Sequence, residues 1–168
     1  MYAAPGRKSV MILLRERYRW KPEDSKTNVR FSFECPEEVI SIRILFSFEP
    51  DALTEPEACL PMIDRAVRRY YDGRGLEYDQ ISPESIGPLK NLITISLSKD
   101  GSYLGNAHCW QKNQVHEITK MKAAPGFVCP PRVAGVWEGM IHLHAVCTLK
   151  CEGRLIIEGR VSDALVSG

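Results

Sequence analysis

The sequence predicts an all-β protein, an antiparallel β-sandwich of jelly-roll-like design with about eight strands and one inserted α-helix over about 55–71. Three observations carry this expectation. Apolar and polar residues alternate with a period of two along most of the chain, which marks strands with one buried face. Turn pairs such as Asp100-Gly101 and Pro125-Gly126 punctuate the alternating segments. Helical spacing occurs in one stretch only. The 168 residues suit a single domain, set here at 9–162, with 1–8 and 163–168 as loose termini.

Ser9 to Trp20 is the first strand, apolar at its start and alternating later. Arg15, Arg17 and Arg19 fall on one face, and Glu16, Tyr18 and Trp20 on the other. After a polar break, Val29, Phe31 and Phe33 line one side of a second strand, and Ile40, Ile42, Ile44 and Phe46 one side of a third. Thr54 and Glu57 have capping-box spacing, and Met62, Ile63, Ala66, Val67 and Tyr70 recur at helical intervals. Gly73 is positioned to end that helix in a left-handed cap. A loop rich in Gly and Pro follows over 72–90. Strands then resume at Asn91–Leu97, Tyr103–Trp110, Val115–Met121, Val136–Cys147 and Gly153–Val161, with a stiff proline-containing crossover over 123–134.

Hydrophobic residues make up 44% and charged residues 26%, so global disorder is excluded. The formal net charge of +1 argues against a strongly basic nucleic-acid binder. Charge is nonetheless segregated: residues 1–30 are strongly basic and 31–60 strongly acidic, as facing surfaces of a fold would be. No apolar run reaches the length of a membrane span, and the run ended by Arg15 is too short for a secretory signal, so a cytoplasmic protein without membrane partners is expected. The six cysteines are accordingly read as free thiols.

Three segments carry a family resemblance. They are Asn91-Leu92-Ile93-Thr94-Ile95-Ser96-Leu97 before Lys99-Asp100-Gly101, then Ala123-Ala124-Pro125-Gly126-Phe127, then Gly135-Val136-Trp137-Glu138-Gly139-Met140-Ile141. Together with the helix from Glu57 to Tyr71, they resemble the N-terminal β-sandwich domain that precedes the catalytic domain in certain PHP-type (polymerase-and-histidinol-phosphatase superfamily) metal-dependent phosphoesterases. The resemblance covers about residues 29–160 and implies an accessory sandwich, with a separately encoded PHP-type phosphoesterase as one expected partner. The catalytic barrel of such enzymes has no counterpart here. His142-Leu143-His144 copies only the first His-x-His of their metal site, and no histidine follows it.

The residues point to ligand binding more than to catalysis. Gly-x-Ser-x-Gly, a phosphate loop and a dinucleotide fingerprint are all absent. Arg15, Arg17 and Arg19 suit an anionic ligand such as a phosphorylated compound, while Trp20, Tyr103 and Trp110 can stack on a carbohydrate. Interleaving of these cations with Tyr18 and Trp20 also has the look of a single-strand nucleic-acid surface, but a structural role is the stronger reading. His142, His144, Cys147 and Cys151 form the candidate metal set, with zinc as the ion their chemistry fits. The expected function is therefore a non-catalytic accessory domain that needs no cofactor and binds a small ligand or a protein. The alternative is a metal-dependent hydrolase using His142 and His144.

Overall fold

In the computed structural model, residues 9–75, 85 and 87–161 are described; the terminal segments 1–8 and 163–168 lie outside them. Each alternating segment is a strand. In chain order the elements are β1 (Val10–Trp20), β2 (Thr27–Cys35), β3 (Val39–Glu49), β4 (Ala52–Leu53), α1 (Pro56–Asp72), β5 (Leu89–Lys90), β6 (Leu92–Lys99), β7 (Ser102–Ala107), β8 (Asn113–Thr119), β9 (Gly135–Ala145) and β10 (Cys151–Val161). Two four-stranded sheets, β1-β10-β3-β8 and β2-β9-β6-β7, form the sandwich, and β4 and β5 make a separate two-stranded ribbon.

The route is that of a jelly roll. Of the eight long strands the first pairs with the last, the second with the second-last, and so inward to the β6–β7 hairpin, all antiparallel. A single long hairpin rolled into two layers has this pairing. Its innermost turn is Asp100-Gly101, both with positive φ (47° and 78°), as a two-residue turn matching strand twist requires.

One face of each sheet turns inward. Ile42, Ile44, Phe46, Leu155 and Ile157 from one sheet meet Ile93, Ile95, Leu97, Trp137, Ile141 and Leu143 from the other, all essentially fully buried. Trp137 stacks on Phe33 with ring centroids 5.9 Å apart, and its indole N–H donates to the Val133 carbonyl at 2.8 Å. The large ring thus fills the space between the layers without stranding its polar atom.

The helix departs from the expected ends. Thr54 does not cap it: Glu55 is the N-cap residue, no side chain caps the backbone, and the Thr54 hydroxyl donates instead to the Glu55 carboxylate at 3.4 Å. Pro56 supplies the rigid first turn, where a missing N–H costs nothing. Gly73 keeps right-handed dihedrals, and the positive φ falls two residues later at Gly75. Within the described side chains of α1, Cys59 alone is buried, its thiol donating to the Leu53 carbonyl at 3.3 Å. Among the described residues, no helix is long and apolar enough to cross a membrane.

Candidate functional site

The outward faces of the two sheets carry the polar side chains, so the candidate residues sort by strand parity. On β1, Arg15, Arg17 and Arg19 point outward from β1-β10-β3-β8 and are exposed. Register brings Arg17 directly opposite Arg154 of β10, and the same row continues through Ser47 of β3 to Asn113 of β8. Directly paired positions in an antiparallel sheet stand about 5 Å apart between Cα atoms, so two guanidinium groups share one row. Like charges in that arrangement repel. Neither arginine enters an ion pair or a side-chain hydrogen bond among the described residues.

Around this row lies a groove of about 490 Å³ whose lining includes Arg17, Arg19, Ser47, Asn113, Glu152 and Arg154. One end is acidic, where Glu152 stands opposite Glu49. Those carboxylates are already engaged: Lys150 lies 2.8 Å and Arg19 3.6 Å from Glu152, and Lys112 lies 3.3 Å from Glu49. The neighbouring cations hold the Glu152 carboxyl below its usual range, the hydrogen bond from Lys150 contributing most. Beyond Arg17 the next row is apolar, with Arg15 opposite Ile156, then Leu45 and Val115. Of the other outward cations, Arg43 and Arg160 pair with Glu158 and Glu117, while Arg15 enters no ion pair among the described residues. Arg17 and Arg154 likewise form no ion pair among the described residues, although Arg17 is near enough to Glu152 to help hold its carboxyl down.

The other ligand candidates do not join this groove. Trp20 is a correction to the expected site: it is 4% exposed, faces the core and stacks on Tyr18 at 5.3 Å. Burial, with Glu16 nearby, pushes the Tyr18 hydroxyl up to about 12. Cations and aromatics of β1 therefore lie on opposite faces, as the strand alternation implied. Tyr103, 65% exposed, belongs to the outer face of the opposite sheet. Trp110, 54% exposed, lies past the end of β7, which stops at Ala107 instead of running to Trp110.

The four candidate metal ligands are likewise separated. His142 and His144 sit on the outer face of β9, stacked 5.8 Å apart, with His108 a further 5.2 Å from His144. Three of their four ring nitrogens are engaged: His142 bonds Ser96 at 2.8 Å and Asn28 at 2.9 Å, and His144 bonds Thr94 through Nε2 at 2.9 Å. Cys151 lies in the core, where burial pushes its thiol up to about 11. Cys147 donates to the Lys90 carbonyl at 3.5 Å, and burial raises its thiol as well. Among the described residues, no group of three or more His, Cys, Asp or Glu side chains is placed to hold a metal ion.

Sequence reasoning missed Arg154, Ser47 and Asn113. Arg154 does alternate outward in a recognisable strand, but its partner strand is set by the jelly-roll route and not by any local pattern. No family model matches the chain, and no curated protein matches it.

These imidazoles have a measurable consequence. Burial lowers the pKa of His116, His142 and His144, and the neighbouring ring adds to the effect at His142 and His144. The unfolded chain titrates its histidines near about 6.5, so as the pH falls through that value it takes up protons that the folded chain refuses. Stability from these groups is complete above that range and is lost on acidification. Urea unfolding midpoints are expected to fall between about pH 7.5 and about pH 5.5. His116→Gln should flatten that slope, because His116 is buried in the core; a flat wild-type profile would contradict the assignment.

Proposed function

We propose that the protein is a non-catalytic ligand-binding jelly roll whose ligand is a small phosphorylated compound held in the Arg17–Arg154 groove. One observation carries the reading: two arginines set opposite each other on neighbouring strands, neither in an ion pair among the described residues, on the floor of an open groove. A planar guanidinium presents parallel N–H donors matched to a phosphate, and two of them side by side can clasp one phosphate group or two linked ones. Ser47 and Asn113, next in the row, suit the uncharged hydroxyls of the same ligand. Phosphorylated chemistry is also what the likeness to PHP-type phosphoesterases implies, and such an enzyme, or its substrate pool, is the partner this reading favours.

Calorimetric titration with inorganic pyrophosphate and with glucose 6-phosphate tests it. Binding is expected at low salt and should weaken as added salt screens the charges. Arg17→Gln and Arg154→Gln should each weaken binding by roughly tenfold or more, since a charge-assisted hydrogen bond contributes about 1.5–3 kcal/mol. Both side chains are exposed, so the variants should keep the wild-type melting temperature. Absence of binding by the wild type, or equal binding by the Arg154→Gln variant, would remove the proposal.

A further inference from the structure

The opposite face of the sandwich carries a second groove, of about 580 Å³, on the outer surface of β2-β9-β6-β7. It has no part in the arginine site and differs from it in chemistry. We infer that it is a binding site for a neutral oligosaccharide, with Tyr103 as its stacking platform and Arg30 and Glu138 as its hydroxyl-binding pair.

Register lays the groove out in rows. Ser32, Glu138, Ser98 and Tyr103 follow one another across the four strands, and Arg30, Met140, Ser96 and Asn106 form the next row. Tyr103 stands on the edge strand and is 65% exposed, a large ring with no covering layer. An aromatic face with its negative quadrupole attracts the polarised C–H bonds of a pyranose ring. Sugars need the complement of that contact, donors and acceptors set beside the platform for hydroxyls that do both jobs. Arg30 supplies donors only and Glu138 acceptors only. Neither side chain enters an ion pair or hydrogen bond among the described residues, so both can bond a ligand.

Behind these residues the floor is hydrogen-bonded within the protein. With the Asn28 Oδ1 accepting from His142 Nδ1 at 2.9 Å, the ring proton sits on Nδ1, and Nε2 accepts the Ser96 hydroxyl at 2.8 Å. Asn106 also lines the groove, with its Oδ1 buried beneath the surface. One cation and one carboxylate balance each other across the floor, Ser32, Ser96 and Ser98 alternate with Met140 between them, and the volume is in the range of small-molecule sites. A polyhydroxylated ring finds both an aromatic platform and paired donors and acceptors on this surface.

The test uses the full chain on a printed array of neutral oligosaccharides, followed by calorimetric titration of the glycan giving the strongest signal. Binding is expected, weakened roughly tenfold or more by Tyr103→Ala and by Glu138→Gln and unchanged by Arg154→Gln. Equal melting temperatures of the exposed-residue variants confirm that folding is not what changed. No signal across the array overturns the inference, as does glycan binding indifferent to Tyr103→Ala and Glu138→Gln. Loss of glycan binding on Arg154→Gln also overturns it, because the ligand would then occupy the arginine groove. Failure of the phosphate titrations leaves this site untouched, since the two grooves lie on opposite faces.

Discussion

Gly105→Ala is expected to destabilise the protein by about 4 kcal/mol, near the upper end for a single substitution. Two costs coincide at this position. Gly105 has a φ of 140°, a conformation that side-chain-bearing residues rarely adopt. A Cβ there would also overlap the Gly126 carbonyl oxygen and lie 2.9 Å from its carbon and from the Phe127 Cα. These are backbone atoms and cannot rotate aside. The approach is close because the crossover before β9 is laced onto β7: Asn106 N–H donates to the Gly126 carbonyl at 3.0 Å and Val128 N–H to the Leu104 carbonyl at 2.8 Å. Relief of the clash requires breaking that lacing and uncovering Leu104 and Phe127, both core residues. Gly101→Ala is the control. It also has positive φ but nothing within 4 Å of its Cβ, so strain alone should cost about 1 kcal/mol. Urea unfolding of both variants reads the difference, and equal midpoints would refute the close-approach argument.

Glycines of this kind show where the sequence runs short of the structure. Pro125-Gly126 is legible as a turn because Pro and Gly have local conformational meaning, and Asp100-Gly101 is legible as a hairpin turn for the same reason. That Gly126 is a glycine to admit β7 is a tertiary fact and leaves no local trace. The strands themselves were readable because a single buried face imposes its period on Val29, Phe31 and Phe33 or on Ile42, Ile44 and Phe46 regardless of neighbours. Which strand lies beside which was not readable in this way. Arg17 and Arg154 meet only because the first and last long strands pair, so half of the arginine site stayed hidden. Arg30, Glu138 and Tyr103 meet through the same rule on the other sheet. The helix cap failed for a different reason: Thr54 had the right spacing, but one residue's shift of the helix start left Glu55 in its place.

Trp20→Ala is expected to cost about 3–5 kcal/mol, the range for deleting a buried aromatic, while leaving pyrophosphate affinity at the arginine groove unchanged in whatever fraction stays folded. The alternation of β1 already separates Trp20 from Arg17 and Arg19, since adjacent positions on a strand face opposite ways. A tryptophan beside arginines in sequence is therefore not beside them on a surface. The structure adds what Trp20 packs on. Its ring lies over Gly153 of β10, where a Cβ would overlap Cη2 and Cζ3 and reach within 3.2 Å of Cζ2. Glycine inside a strand weakens it and marks a place where something else comes close; here that is an indole. The two positions should consequently be coupled. Gly153→Ala alone overfills the site and should cost about 1–3 kcal/mol. In the double variant Trp20→Phe with Gly153→Ala, the smaller ring leaves room for the new methyl group, so the combined loss should fall below the sum of the single losses by about 1 kcal/mol. A double-mutant cycle by urea unfolding measures that term directly. Simple additivity would mean that Gly153 is not the seat of the Trp20 ring, and weaker pyrophosphate binding by folded Trp20→Phe would return the tryptophan to the ligand site.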